Sequence, residues 1–417
     1  MTGSARIVRG DALALPLDDS TVDLIVTSPP YFGLRSYRDG GEHYAGQIGS
    51  EPTPAEFVDA LIAATAEMVR VLKPSGSIWV NLGDKYAGSN GQPGGSGSST
   101  LVGTTSHTRG MAASKKPATG APTKSLIGIP WRYAIRCIDD LGLILRAEVI
   151  WSKPNGLPES VTDRVRRSHE TWFHFVKMPR YFSAVDEIRE GYAPETAARY
   201  GYGFKPASAV AAGQSGNGPT RADGGGPVAT NPLGKLPGSV WTIPTQPLTV
   251  PTHLGVDHFA AFPMEWPRRI IRGWSPAVVC TACGEGRRPV IDRETPADLG
   301  PRIDGRNRQR QGQGPPGNGL DVQPTYLTGY ACACPDTTAP TTPAVVLDPF
   351  GGTGTTALVA SVLGRHGVSV DMSADYCRLA TWRTTDPDQI ARAMQVDKPA
   401  RQVDGQADLF DHLEETP

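Results

Sequence analysis

The chain has 417 residues and a net charge of −1, so it lacks the overall positive field of an indiscriminate nucleic-acid binder. Apolar residues make up 39% and glycine and proline number 48 and 38, which suits a folded core of two or three domains' length interrupted by flexible segments. No apolar run reaches the roughly 18 residues of a membrane-spanning helix, the N-terminal residues lack a basic-then-apolar signal pattern, and six cysteines without such a signal predict a reducing, cytoplasmic setting.

Ile7–Asp11 reads as a short strand ending in an acidic residue. Val22–Val26 has the length and β-branching of a buried parallel strand. It runs into Thr27-Ser28-Pro29-Pro30-Tyr31, where neither proline has an N–H and the residue before each is held extended. Carbonyls are therefore left unpaired at the carboxyl end of a strand, beside a hydroxyl and an aromatic ring. In α/β sheets this is the edge where ligands bind. The ring suits stacking on a flat substrate, and the carbonyl of Pro29 and hydroxyl of Ser28 suit hydrogen bonds from an exocyclic amine.

Thr53-Pro54-Ala55-Glu56 is a capping box with proline at the first helical position. The helix it opens carries Phe57, Leu61, Met68 and Leu72 on one face and is stopped by Lys73-Pro74-Ser75-Gly76 before a strand over Ser77–Leu82. Residues 86–123 are rich in Gly, Ser and Thr and read as a long flexible loop. A helix from Pro130 to about Leu141 follows, then strands over Leu143–Trp151 and Ser168–Lys177, with Arg164, Arg166 and Arg167 between them. Further basic residues cluster at Arg287 and Arg288 and at Arg302, Arg306, Arg308 and Arg310. Residues 186–240 lose all periodicity, and His258–Pro263 precedes a helix with Trp266, Ile270 and Ile271.

Val345–Leu347 is an apolar strand entering Asp348-Pro349-Phe350-Gly351-Gly352-Thr353-Gly354-Thr355-Thr356, a glycine-rich turn that opens an apolar helix, Ala357–Leu363. Glycines there permit positive φ and close approach of a ligand. The next strand, Gly367–Val370, ends at Asp371, at the interval where an acidic residue takes the ribose hydroxyls of an adenosine cofactor. A ligand-free tight turn and a nicotinamide site are the alternatives; Phe350 inside the turn and the lack of a G-x-G-x-x-G pattern argue against the latter.

Within residues 276–343, Cys280-x-x-Cys283 and Cys332-x-Cys334 make a candidate Cys₄ zinc site, the alternative being free thiols in a loop. Cys137 and Cys377 fall in helical patterns and read as core residues.

Ser28-Pro-Pro-Tyr31 after a strand, together with Asp348-Pro-Phe-Gly-Gly-Thr-Gly-Thr-Thr356 after another, resembles the motif pair of the DNA methyltransferases that modify exocyclic amino nitrogens. The resemblance implies a Rossmann-like class I methyltransferase sheet of seven strands. In it, Leu143–Trp151 and Ser168–Lys177 would be the antiparallel edge, and the order would be the circularly permuted one of the beta group, catalytic half first. It implies S-adenosylmethionine as cofactor, with Ser28, Pro29, Pro30 and Tyr31 catalytic. Asp348, Phe350, Gly351, Gly352, Gly354, Thr355, Thr356 and Asp371 would form the cofactor site, with Asp11 near the adenine. Trp151–Asn155 and the arginines after it resemble the cytosine-N4 branch. Residues 1–185 would then be the catalytic half, 186–240 the target-recognition region, 241–275 and 344–392 the cofactor half, 276–343 an insertion and 393–417 a flexible tail. The implied reaction is methylation of cytosine N4 in double-stranded DNA on a flipped base; adenine N6 is the nearest alternative, and an inactive DNA-binding regulator a distant one. The enzyme would act alone or beside a restriction endonuclease. In the tail, Gln406, Leu409 and Phe410 resemble the short peptides that dock on a bacterial sliding clamp.

Overall fold

The computed structural model describes residues 3–33, 38–39, 42–43, 46–88, 120–156, 158–193, 234–256, 261–293, 325–332, 334 and 338–397. The proposed clamp-docking residues Gln406, Leu409 and Phe410 lie outside these. So do His258, the Arg302–Arg310 cluster, and most of the 86–123 loop and the 186–240 region.

The strands are β1 (Ser4–Arg9), β2 (Val22–Thr27), the two-residue pair β3 (Arg38–Asp39) and β4 (Glu42–His43), β5 (Leu72–Leu82), β6 (Ile144–Ser152), β7 (His169–Val176), β8 (Val240–Thr242), β9 (Val278–Cys280), β10 (Arg288–Arg293), β11 (Thr325–Ala331), β12 (Thr341–Pro343), β13 (Val345–Asp348) and β14 (His366–Asp371). The helices are α1 (Pro54–Val71), α2 (Ile129–Asp139), α3 (Glu265–Trp274), α4 (Thr355–Val362), α5 (Ala374–Thr385) and α6 (Pro387–Met394).

One sheet of eight strands, in the order β1-β14-β13-β2-β5-β7-β6-β8, organises the molecule. β1, β14, β13, β2 and β5 are mutually parallel. Central strand β2 is buried at all six positions, as its unbroken apolar and β-branched run requires. Two expectations are corrected here. Of the two edge strands, β7 is antiparallel to both of its neighbours, so β6 runs in the same sense as β5. The edge beyond β6 is also not free, because Val240–Thr242 pairs with Ile150–Ser152 and adds an eighth strand. A backbone edge takes whatever short extended segment the chain brings to it.

α1 starts at the predicted capping box: Glu56 N–H donates to Thr53 Oγ1 and Thr53 N–H to Glu56 Oε2, both at 3.2 Å. Ladder pairing of β5 begins at Leu72, earlier than Ser77, and a register shift between Val22 and Leu24 absorbs the Lys73-Pro74-Ser75 segment. Lys73 is held there by Asp23 at 2.7 Å, and the other Asp23 oxygen accepts Val345 N–H. The sheet is covered on both faces. Ile25, Ile78, Val80, Phe173 and Phe175 pack with α1 and α2 residues Phe57, Leu61, Met68 and Tyr133. Leu24, Val26, Trp79 and Trp172 pack on the other side with Trp266, Ile270 and Leu358 of α3 and α4. On that second face Trp172 stacks on Trp266 with centroids 4.8 Å apart, and Trp79 stacks on His174 at 4.5 Å. Burial pushes the His174 pKa down to about 3, so this imidazole is a neutral member of the core.

Candidate active site

Parallel strands with helices on both faces align their carboxyl ends along one rim. The residues singled out in the sequence gather there. Asp11 follows β1, Asp371 ends β14, Asp348 ends β13, and Ser28 follows β2. Because β13 and β2 are neighbours, the glycine-rich turn and the Ser-Pro-Pro-Tyr turn stand side by side although about 320 residues separate them.

Asp348 fastens them together. Its Oδ1 accepts the Thr27 hydroxyl at 2.7 Å and the Phe350 N–H at 3.2 Å, and its Oδ2 accepts the Thr356 hydroxyl at 2.9 Å. The residue is 1% exposed, and burial lifts its pKa to about 6 despite those donors. Asp348 thus directs its carboxylate into the protein, joining the two turns, while the backbone around it forms the rim.

The glycine turn is drawn tightly over β14. A Cβ on Gly351 would fall 1.8 Å from Ser369 Oγ, so no side chain fits there. Gly352 and Gly354 have φ of +49° and +72°, the left-handed region that favours glycine, and around Gly352 a Cβ would meet little but the Phe350 carbonyl at 3.9 Å. Asp371 fixes this corner: Oδ2 accepts Gly352 N–H at 2.8 Å and Oδ1 accepts Ser373 N–H at 2.9 Å. At the next strand end Gly10 N–H donates to Asp371 O at 3.0 Å, which brings Asp11 beside it. Beneath the turn lies a residue the sequence reading missed. Arg383 of α5, 2% exposed, donates to Thr353 Oγ1 at 2.6 Å and Thr355 Oγ1 at 2.7 Å, and desolvation lowers its pKa to about 10. An open, amide-lined, acid-edged turn of this kind fits an adenosine-type cofactor.

At the Ser-Pro-Pro-Tyr turn, Ser28 Oγ donates to Asn81 Oδ1 at 3.2 Å. The Tyr31 hydroxyl sits 2.8 Å from both Asn81 Oδ1 and Glu170 Oε2. Asn81 is oriented by its own bond to Thr171 O at 3.2 Å. Glu170 is ion-paired with Lys153, whose ammonium lies 4.2 Å from the centre of the Trp151 ring. The Tyr31 ring lies against Gly83, where a Cβ would approach Cε2 to 2.6 Å. Asn81, Gly83 and Glu170 carried no signal of their own in the sequence beyond standing at strand ends, whereas Lys153 lay in the Trp151–Asn155 stretch; the sheet order β2-β5-β7-β6 assembles them around Tyr31. The Trp151–Asn155 stretch joins this network through Lys153, and Asn155 holds the segment after β8 by accepting Thr245 N–H at 2.9 Å. Two cavities of about 400 Å³ lie elsewhere: one beside Thr242, Met264 and Arg392, the other at the opposite rim by Ser4, Val345 and His366.

The cysteines divide as expected in part. Cys137 is fully buried in α2, whereas Cys377 in α5 is only half-buried. Cys280, Cys283 and Cys332 converge, their Sγ atoms all within 4.8 Å of one another, while Cys334 stands outside that group. Among the described residues no helix is long and apolar enough to cross a membrane.

The chain is similar in sequence to several curated type II methyltransferases. The type II methyltransferase M.SmaI of Serratia marcescens is 39% identical over 191 residues, 45% of this chain and 61% of that protein. M.XycI of Xanthomonas campestris pv. cyanopsidis is 40% identical over 190 residues, 45% of this chain and 59% of that one. The chain therefore spans about six tenths of the length of these curated relatives. Among solved structures, PvuII DNA methyltransferase (cytosine-N4-specific) aligns with 95% of each chain at 18% identity and a TM-score of 0.48. The family model for N6/N4 DNA methylases matches residues 22–277 and 340–381, more than half of the chain and both rim turns, and the protein belongs to that family.

Proposed function

We propose that the protein is a site-specific DNA methyltransferase that moves a methyl group from S-adenosylmethionine to the exocyclic N4 of cytosine in double-stranded DNA. The observation that carries this reading is the Thr27–Asp348–Thr356 link, which holds the amine-binding turn and the glycine turn on adjacent strands. Two reactants bound on those turns would meet in one crevice, and positioning of that kind supplies much of the rate in a direct transfer.

S-adenosylmethionine, when bound, supplies an electrophilic sulfonium methyl; the new N–C bond forms as the C–S bond breaks with its electron pair going to sulfur. The chain's part is to make a poor nucleophile usable. With its hydroxyl proton given to Asn81, Ser28 keeps lone pairs for an amine N–H, and the Pro29 carbonyl accepts the second. These bonds draw the nitrogen toward sp³ geometry and free its lone pair; the surplus proton then leaves to solvent. The target base must leave the duplex to reach this rim, and the Tyr31 ring, tethered at its hydroxyl and backed by Gly83, is the stacking surface for it. Gly351, Gly352 and Gly354 with Thr355 and Thr356 would hold the cofactor, Asp371 its ribose, and Asp11 and Phe350 its adenine.

Cytosine is favoured over adenine by the serine at the first motif position and by the Trp151–Asn155 stretch. The type II methyltransferase relatives support a modification role beside a restriction endonuclease. Mass spectrometry of nucleosides from DNA of a host expressing the protein should find N4-methylcytosine, lost in Ser28→Ala and strongly reduced in Tyr31→Ala. Only N6-methyladenine would overturn the base assignment, and no methylated base at all would overturn the reaction.

A further inference from the structure

The family match stops at residue 277 and resumes at 340, so the cysteine-bearing insertion lies outside the shared catalytic body. Its described parts are thin. β9 pairs with β12 and β10 with β11, each as an isolated two-strand ribbon, and such ribbons are marginal in water without a further layer. Among the described residues of 276–343 the buried apolar side chains are Pro276, Val279, Cys280, Ala339 and Pro343. These described side chains alone bury little against the two ribbons, the circumstance in which small modules are fastened by metal.

The cysteines stand where a fastening would act. Cys280 ends β9 and is fully buried, Cys283 lies three residues on in an exposed turn, and Cys332 immediately follows β11. The 280–285 turn is a tight knuckle: Gly284 N–H donates to Cys280 O and Cys280 N–H to Glu285 O, both at 2.9 Å, with Gly284 at φ +72°. The three Sγ atoms already fall within 4.8 Å of one another, against about 3.8 Å for sulfurs at the corners of a tetrahedron with Zn–S bonds of about 2.3 Å. Among the described residues no His or carboxylate joins the cluster. Cys334, two residues past Cys332 and partly buried, is the remaining cysteine of the insertion and the candidate fourth ligand.

We propose that Cys280, Cys283, Cys332 and Cys334 bind one structural Zn²⁺ that locks the base of the β10–β11 arm to β9 and so to the catalytic body. Zinc binding would displace the thiol protons to solvent and leave four thiolates around the metal, with no open position for catalysis.

The test is elemental analysis of the full-length protein purified under reducing conditions without added metal. About one zinc per chain is expected, and replacement by Co²⁺ should give the visible absorption of a tetrahedral tetrathiolate site. Cys283→Ser, at an exposed position, should lose the metal while circular dichroism shows a folded protein. Cys334→Ser should bind zinc at least about tenfold more weakly in competition with a chelator, and Cys377→Ser, on α5, should keep the full metal content. Absence of zinc in the purified protein, together with no stoichiometric uptake by the reduced chain, would overturn the site. Iron in place of zinc would overturn the metal. Unchanged affinity in Cys334→Ser would overturn the four-thiolate set. Each reading is independent of methyl transfer, so the site and the proposed reaction stand or fall separately.

Discussion

Asp348 is a carboxyl group that the folded chain protonates more readily than the unfolded one. Its pKa in the fold, about 6, exceeds the ordinary aspartate value because burial outweighs three hydrogen-bond donors. The folded state therefore holds more protons between the ordinary value near 4 and about 6, and stability from this group falls as pH rises through that window, then stays level. Asn can replace every contact. Its Oδ1 can accept from Thr27 and from Phe350 N–H, and its amide can donate to Thr356 Oγ1, whose proton then goes to Val26 O, already 3.2 Å away. Asp348→Asn is thus expected to be at least as stable as the parent at neutral pH, by at most roughly 3 kcal/mol. The advantage should shrink as pH is lowered from 6 to 4. Urea unfolding of both proteins across that range checks it; a variant less stable at every pH would mean that the charge itself is needed between the two turns.

Among the elements, α5 supports the glycine turn from below through one side chain. Arg383 reaches both Thr353 and Thr355 of the turn with one nitrogen. Lysine offers a point charge on a more flexible stem, so Arg383→Lys should leave the turn loosely held. We expect about tenfold weaker S-adenosylmethionine binding by calorimetry, a loss of about 1.4 kcal/mol, with DNA affinity unchanged. Equal cofactor affinity would mean that the turn holds its shape without the arginine. The capping box of α1, the strands β2 and β13 and the two turns were legible because each is a local pattern: propensity, periodicity, proline and glycine. Arg383, Asn81 and Glu170 were not, because their partners are 17 to 139 residues away and only the fold joins them. The three-residue strand β8 was missed for a related reason. Val240–Thr242 has too few residues for a period, and its pairing is decided by the open edge of β6.

Taken whole, the molecule has a net charge of −1, so under the proposed function its attraction for DNA must come from where charge is placed. The connection from β6 to β7 places it at the rim, since β6 runs in the sense of β5 and ends on the same side. Lys153 N–H donates to Ser168 O at 2.8 Å, closing the loop's base, and Arg167 donates to the Asp84 carbonyl just beyond β5. Arg164 is spent on Glu159 and on the face of Tyr86, 3.9 Å away. That leaves Arg166, exposed and, among the described residues, bound to the Gly156 carbonyl at 2.9 Å, beside Val165, which is 87% exposed. An exposed cation next to an exposed apolar side chain, on a loop anchored beside the Tyr31 network, is placed for a duplex backbone. Replacing one phosphate-contacting arginine should weaken binding about equally on all sequences and lower the salt slope by about one. Arg166→Ala is therefore expected to bind specific and unrelated duplexes less tightly by similar factors, with a shallower dependence of affinity on salt. Its S-adenosylmethionine affinity should match the parent's, because the glycine turn lies three strands away across β5 and β2. Fluorescence anisotropy over a salt series measures all of this; a slope equal to the parent's would place the phosphate contacts on another part of the surface.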